Sequence, residues 1–217
     1  MPGSFIRIAA CLALLISTVV ACAQKDAKPS VSPDPLTAEQ LAVYRAVLAN
    51  WMTQDVPAMN LSIQTVKPEQ FGPVVIADCA KGLELEPAPG TVVHRFRQQD
   101  LAQLGTGRTF TLVDPEQGSK EVQKNDPEKT MGDAQSIEDS VRNAFAHGLT
   151  TLSEIQFDKK HEHAIVSYGF RCGGLCGNGG TVVMEKKDGV WKIQNSCDDW
   201  VSRAMPAPSE FELAAEA

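Results

Sequence analysis

The stretch AIVSYGFRCGGLCGNGGTVVMEKKDGVWKI, from Ala164 to Ile193, decides the fold. Residues 164–170, 181–185 and 190–193 within it are rich in β-branched and aromatic residues, which favour strands. Asp188-Gly189 separates the last two segments, and this dipeptide favours a hairpin because it tolerates the positive φ angles of a tight turn. The stretch therefore predicts antiparallel strands connected in sequence order.

Two helices are predicted outside this stretch. Thr37-Ala-Glu-Gln40 is a capping box at the start of the first, and Ser136 is the N-cap of the second. The apolar stripes of the two helices are Leu41, Tyr44, Val47, Leu48 and Trp51, then Ile137, Val141, Ala144 and Phe145, ended by Gly148. With a further strand over residues 153–157, the sequence predicts an α+β fold. We expect an antiparallel β-meander in the C-terminal half, with two or more helices packed on one face.

The region between the two helices gives shorter signals. It predicts strands over residues 73–79, 91–96 and 109–113 and a short helix over residues 98–104. Residues 114–135 are polar and punctuated by proline and glycine, so we predict a long loop that is either an insertion or a functional surface.

The N-terminus predicts export. Arg7 is followed by an uncharged stretch that reaches Ala21, as in a secretory signal peptide. Val19-Val20-Ala21-Cys22 resembles the lipobox of bacterial lipoproteins, which implies cleavage before Cys22 and lipid on that cysteine. Ordinary cleavage after Ala23 is the alternative, because Ala21-Cys22-Ala23 also fits the small-residue rule. The resemblance implies a location in the bacterial cell envelope, anchored by lipid and facing the periplasm at the outer membrane.

These signals divide the chain into four parts. We predict a lipoprotein signal peptide over residues 1–21, a lipidated cysteine with a proline-rich tether over 22–36, a single α+β domain over 37–203 and a flexible acidic tail over 204–217. The chain has 20 basic and 27 acidic residues and a net charge of −7. It has no basic stripe for nucleic acid, and it suits a basic protein partner.

Four cysteines remain once Cys11 leaves with the signal peptide and Cys22 carries lipid. An even number in an exported chain favours two disulfides, and of the three possible pairings we favour Cys172–Cys176 with Cys79–Cys197. A redox-active thiol pair and a Cys₄ zinc site are the alternatives. The spacing C-x-x-x-C departs from the usual redox motif, and an oxidising compartment opposes zinc.

Glycine occupies six of the twelve positions from Gly169 to Gly180. Because glycine permits positive φ angles and close approach of the backbone, we predict a sharply wound loop. A cross-linked loop is a preorganised recognition element. Its candidate contact residues are Arg171, Gly173, Gly174, Leu175, Gly177, Asn178 and Gly179. Neither this segment nor residues 105–109 has P-loop spacing, so no nucleotide is expected.

The segment from Phe145 to Trp191 resembles a family of bacterial exported proteins and lipoproteins that has no assigned activity. The family carries Ser-x-x-x-Phe-(Asn/Asp), Ala-(Leu/Ile)-Val, Cys-Gly-x-Leu-Cys-Gly-x-Gly and Glu-Lys-x-x-Gly-x-Trp-Lys. The matching residues are Ser153, Phe157, Asp158, Ala164, Ile165, Val166, Cys172, Gly173, Leu175, Cys176, Gly177, Gly179, Glu185, Lys186, Gly189, Trp191 and Lys192. The resemblance implies a shared α+β domain.

Residues suited to catalysis are sparse. His161 and His163 are weak metal candidates, because they would share one face of a strand, but an exposed polar turn is the simpler interpretation. No hydrolase or metalloprotease motif is present, so we expect no catalytic residue and no cofactor. The leading hypothesis is a lipid-anchored, non-catalytic domain that binds a protein, of inhibitor or immunity type. The alternatives are a periplasmic enzyme that uses His161 and His163 or the thiols of Cys172 and Cys176, and a purely structural envelope component.

Overall fold

The computed structural model describes residues 29–50, 58–71, 79–87, 90, 92–105, 107–130 and 136–202. The helices are α1 (Ala38–Asn50), α2 (Pro115–Lys124), α3 (Pro127–Thr130) and α4 (Ile137–Ala146), with 3₁₀ turns at Pro68–Phe71 and Asp100–Ala102. The strands are β1 (Ser30–Val31), β2 (Ala58–Ser62), β3 (Val92–Val93), β4 (Thr109–Val113), β5 (Leu149–Leu152), β6 (Gln156–Phe157), β7 (His163–Arg171), β8 (Gly177–Lys187) and β9 (Val190–Val201).

Seven of these strands form one sheet, in the order β4-β2-β5-β7-β8-β9, with β6 paired to β7 outside this path. β2 runs parallel to both β4 and β5, whereas the pairs that connect β5, β6, β7, β8 and β9 are antiparallel. β1 and β3 form a separate parallel pair. The antiparallel C-terminal half, together with the helices, confirms the predicted α+β class.

The turn between β8 and β9 is the one that the sequence predicts. Asp188 (φ 52°) and Gly189 (φ 77°) both adopt the positive φ angles of a two-residue hairpin turn. β9 continues to Val201, well beyond the predicted end at residue 193. The prediction stopped early because polar residues from 194 onward interrupt the apolar pattern, although this edge strand stays hydrogen-bonded to β8.

Helix α1 begins at the predicted capping box. The Gln40 N–H donates to Thr37 Oγ1 (3.2 Å), and the Thr37 N–H donates to Gln40 Oε1 (2.8 Å). The buried residues of this helix are Leu41, Val43, Tyr44, Val47 and Leu48. The Tyr44 hydroxyl donates to the Ser153 carbonyl (2.9 Å), which ties the helix to the segment after β5. Trp51, predicted on the same face, lies outside the described residues.

The prediction of a long loop over residues 114–135 is wrong for most of the described residues, because they form α2 and α3. The Asp114 carboxylate caps α2 by accepting from the N–H groups of Glu116 (2.9 Å) and Gln117 (3.2 Å). Pro115 follows in the first turn, where its missing N–H costs nothing. Gly118 is the only buried residue of this helix. The helix therefore lacks the apolar stripe that identifies helices in the sequence, and this is why it was not predicted.

The remaining differences concern short elements. Of the strand predicted over 91–96, the described residues form β3 and an isolated bridge at Arg95, and the helix predicted over 98–104 is a 3₁₀ turn. β2 and β5 are strands that the sequence analysis missed, and the predicted strand over 153–157 is shortened to β6. The strand predicted over 73–79 lies outside the described residues except for Cys79.

The folded part of the chain begins before the predicted boundary at Thr37. Ser30 and Val31 pair with β3, and the Ser32 N–H donates to the Val93 carbonyl (2.8 Å). Leu36 is only 5% exposed and belongs to the hydrophobic core. Residues 30–36 therefore pack on the domain instead of belonging to the predicted tether.

Side chains of the large sheet alternate between two faces. The core face includes Leu61, Leu152 and Phe170, which share one hydrophobic core with residues of α1 and α4. The opposite face includes Leu149, which packs closely on Gly118 of α2. Two helices thus share one face as predicted, while α2 lies on the other face and borders a groove there.

Candidate functional site

Two disulfides join the four cysteines of the folded domain. Cys79 pairs with Cys197 (Cα–Cα 5.6 Å), and Cys172 pairs with Cys176 (Cα–Cα 5.0 Å). The predicted pairing is confirmed. Bonded in this way, the four sulfurs do not form a Cys₄ zinc set, and Cys172 and Cys176 are in the oxidised form of a thiol pair.

The second disulfide closes the turn between β7 and β8. The Cys172 N–H also donates to the Cys176 carbonyl (2.8 Å), so a hydrogen bond and a covalent bond close the same turn. Leu175 projects from this turn with 49% of its surface exposed. We call residues 172–176 the cystine hairpin.

Only three of the seven predicted contact residues lie in the turn: Gly173, Gly174 and Leu175. Arg171 ends β7, and Gly177, Asn178 and Gly179 belong to the start of β8. The wound loop is therefore shorter than the run of glycines that predicts it. The sequence predicted too long a loop because glycine is typical of loops, whereas the glycines of β8 pair with neighbouring strands.

Glycines between residues 169 and 180 permit close packing, and none of them has a positive φ angle. A Cβ on Gly179 would lie 2.8 Å from ring atoms of Trp200, and one on Gly173 would lie 2.6 Å from Asp126 Oδ1. Real Cβ atoms do not come so close. The glycines therefore let the Trp200 ring rest directly on β8 and let Asp126 press against the cystine hairpin.

The cystine hairpin is held from two sides. The Asp126 carboxylate accepts from the Gly174 N–H (3.0 Å) and from the Glu128 N–H (3.2 Å). On the other side, the Ser202 hydroxyl donates to the Leu175 carbonyl and accepts from the Gly177 N–H (2.8 Å). These bonds fix the direction in which Leu175 projects.

A groove of about 690 Å³ lies beside the cystine hairpin. Thr151 pairs with Gly169, Gly169 with Gly179, and Gly179 with Trp200, so these residues form one row across the floor. The remaining lining comes from α2, from the 3₁₀ turn at Pro68–Phe71, from neighbouring strands and from the hairpin; it includes Ser119, Gln123, Gln70, Phe71, Arg171, Gly173 and Gly174. We call this cavity the Trp200 groove. Its volume is typical of small-molecule sites, which span about 300–1,000 Å³.

Among the described residues that line the Trp200 groove are one guanidinium, that of Arg171, and one carboxylate, that of Asp126. Asp126 is buried and already accepts two backbone hydrogen bonds. Arg171 is exposed, and its side chain has no ion-pair or hydrogen-bond partner within the part of the chain that the structure describes. Arg171 is therefore the cation that a bound group can use.

The two weak metal candidates do not converge. His161 lies in the turn before β7, where its Nδ1 contacts Glu39 Oε2 (2.9 Å) and its Nε2 contacts Glu86 Oε1 (3.3 Å). His163 opens β7, and its Nδ1 contacts Asp158 Oδ2 (3.1 Å). Among the described residues, no group of three or more His, Cys, Asp or Glu side chains could hold a metal ion.

His161 is part of a charged turn on the surface. Its hydrogen bond to Glu39 raises the pKa of His161 above the ordinary value, burial opposes this, and Glu86 adds to the increase. Burial acts to raise the pKa of Glu39, but hydrogen bonds from Lys186 and His161 hold that pKa below its ordinary value. The His161 ring stacks on Phe157 with centroids 4.7 Å apart.

A buried carboxylate, Glu154, escaped the sequence analysis. Its Oε1 accepts from the His94 N–H (2.7 Å), its Oε2 contacts His94 Nδ1 (2.8 Å), and Thr65 Oγ1 bonds to it as well. Burial raises the pKa of Tyr44 well above its ordinary value, and the charge of Glu154 adds to this effect. The cluster cross-links three segments, and no local pattern could reveal it, because Thr65 and Glu154 are 89 positions apart.

No family model, curated protein or solved structure matches this chain. None of the helices within the described ranges is both long enough and apolar enough to cross a membrane. The fold and the site therefore define the class: an α+β domain with a cystine hairpin beside a groove.

Proposed function

We propose that this protein is a lipid-anchored, non-catalytic binding domain of the bacterial cell envelope, and that a basic protein binds at its cystine hairpin. The observation that carries the proposal is the exposed Leu175 side chain on a turn closed by a disulfide. In this proposal the lipids are on Cys22, and the domain acts on its partner as an inhibitor or immunity protein does.

The fixed conformation of the cystine hairpin supports a role in recognition. Association costs free energy for every loop that becomes ordered on binding, and a hairpin already held by Asp126 and Ser202 avoids most of that cost. Burying the apolar surface of Leu175 then contributes about 25 cal/mol per Å² to binding. The hairpin therefore favours a macromolecular partner that covers its tip.

Two acidic residues beside the cystine hairpin and the net charge of the chain favour a basic partner, although Arg171 at the end of β7 adds one positive charge there. Asp126 contacts Gly174, and the exposed Glu128 lies close enough that a Cβ on Gly174 would be 3.3 Å from its Oε2. The whole chain carries a net charge of −7. Complementary charge accelerates association with a basic protein, and salt weakens that effect.

A comparison of two exposed aliphatic positions tests the proposal. Leu175→Ser removes the apolar tip, and Val190→Ser is the matched control at the opposite end of β8, where Val190 is 56% exposed. The exported chain with Cys22→Ser is immobilised and incubated with envelope extract. We expect one basic protein to be retained by the parent and by Val190→Ser, to be lost with Leu175→Ser, and to elute as the salt concentration rises.

Two results would contradict this function. Retention that is equal for Leu175→Ser and Val190→Ser would show that the hairpin tip does not contact the partner. The proposal of a basic partner would also be contradicted if no protein were retained, or if the retained proteins were not released by salt. The integrity of each variant is checked first by circular dichroism and by its count of free thiols.

A further inference from the structure

The Trp200 groove has the features of a ligand site that the hairpin proposal does not use. We propose that it binds a saccharide carrying a carboxylate, with the sugar ring on Trp200 and the carboxylate on Arg171. Gly173 and Gly174 of the cystine hairpin line this groove but Leu175 does not, so the inference adds a small ligand beside the proposed partner site, and its test does not depend on Leu175.

The aromatic surface of the Trp200 groove supports a sugar ring. A Cβ on Gly169 would lie 2.9 Å from Phe71 Cε1 and 3.7 Å from Trp200 Cζ2, so both rings meet over this glycine. Trp200 has one side against Gly179 and remains partly exposed. The C–H groups on one face of a sugar form an apolar patch that stacks on such a ring, with a gain from the buried area.

Polar groups line the rest of the Trp200 groove. The uncharged ones are Ser62, Gln70, Ser119, Gln123 and Thr151. Hydroxyl and amide groups both donate and accept hydrogen bonds, as sugar hydroxyls do. Ser62 Oγ already bonds to Gln64, and Ser119 Oγ donates to the Pro115 carbonyl. Gln70, Gln123 and Thr151 are therefore the groups that a sugar would engage and a flat apolar ligand would not.

The charges select a monoanion. The guanidinium of Arg171 matches a carboxylate with two parallel hydrogen bonds, and no other cation lines the described groove. Asp126 lies in the same lining and Glu128 lies next to it, so a polyanion such as a nucleotide would meet repulsion there. A single carboxylate matches the one charge of Arg171 and brings less negative charge near those two groups than a polyanion does.

Matched sugar pairs test this inference. We would titrate the ¹⁵N-labelled exported chain carrying Cys22→Ser with D-glucuronate and D-glucose, then with N-acetylmuramic acid and N-acetylglucosamine. D-Glucuronate carries a carboxylate where D-glucose has a hydroxymethyl group, and N-acetylmuramic acid carries one on a lactyl ether that N-acetylglucosamine lacks. We expect an acidic sugar to shift the indole resonance of Trp200 and to bind roughly fivefold more tightly than its neutral partner, the gain of about one exposed ion pair.

Two variants separate stacking from charge. Arg171→Gln should remove the preference for the acidic sugar and leave neutral binding unchanged, while Arg45→Gln, on the exposed side of α1, should keep the preference. Trp200→Leu should weaken the binding of the acidic and the neutral sugar of a pair by the same factor. If Trp200→Leu does not fold, Trp200→Phe retains a smaller ring on the same glycines and should weaken both partially.

The inference is overturned if neither pair shifts the Trp200 resonance at any soluble concentration. It is also overturned if acidic and neutral sugars bind equally, or if Arg171→Gln and Arg45→Gln have the same effect. None of these outcomes bears on Leu175, so the hairpin proposal would survive them.

Discussion

His161 is the single residue with the clearest expected effect of pH. Its folded pKa is raised by Glu39 and Glu86, so its ion pairs stabilise the protein below the unfolded pKa of about 6.5, and this contribution is lost as pH rises through the folded value. The side chain is 42% exposed, so water screens the pairs and we expect about 0.5 kcal/mol. Urea unfolding of the parent and His161→Asn should show a larger stability difference near pH 5.5 than near pH 8.5.

The choice of asparagine isolates the charge of His161. The residue has a φ angle of 54°, and asparagine tolerates this left-handed conformation better than most side chains. His147→Asn is the control, because His147 Nδ1 contacts the Asn143 carbonyl (2.9 Å) and not a carboxylate. A pH dependence of the same size in both variants would show that the charged turn does not contribute.

From the residue types alone, the disulfides of the site could be predicted, but the positions of Trp200 and Glu154 in it could not. The even cysteine count predicted two disulfides. The pairing that the sequence analysis favoured among three is the observed one. The place of Trp200 in the groove could not be predicted from the sequence, because it depends on pairing with Gly179 in a different strand. The contact of Glu154 with His94 joins residues 60 positions apart, and only the completed fold brings them together.

Among the elements, helix α2 depends on its cap more than on burial. Asp114 satisfies two of the free N–H groups at the start of this helix, and Gly118 is the only buried residue along it. We expect Asp114→Ala to lower the free energy of unfolding by about 1 kcal/mol. Urea unfolding that monitors the whole domain would measure this loss.

Asparagine provides the matched control at this position. Asp114→Asn keeps an oxygen that accepts from the Glu116 N–H, so its stability should stay close to that of the parent. Equal losses in both variants would mean that the negative charge at the helix N-terminus, and not the hydrogen bond, stabilises α2.

Local sequence signals were enough to predict elements whose hydrogen bonds and backbone angles are determined within one short segment. Helix α1 has its capping box and apolar stripe within one segment, and the Asp188-Gly189 turn needs only its own φ angles. β2 was missed because it is a short strand whose hydrogen bonds come from β4 and β5 on either side. The propensity of such a strand is set by its neighbours, which no local window contains.

At the level of the whole molecule, the start of the folded domain would set its distance from the membrane anchor that we propose at Cys22. With lipids on Cys22, a tether that ended at Thr37 would reach about 50 Å, at about 3.5 Å per residue. The pairing of Ser30 with β3 shortens this reach to about 28 Å. The domain would then stay close to the bilayer, and its partner would have to approach within that distance.

The burial of Leu36 tests this shorter tether directly. Its side chain is 5% exposed in the core, so Leu36→Ala should lower the free energy of unfolding by about 2 kcal/mol or more. Pro35→Ala, at the exposed neighbouring position, is the control and should change stability by less than about 0.5 kcal/mol. If urea unfolding finds both variants as stable as the parent, residues 30–36 do not pack on the domain in solution. The tether would then extend to Thr37, and the domain could reach partners at nearly twice the distance from the membrane.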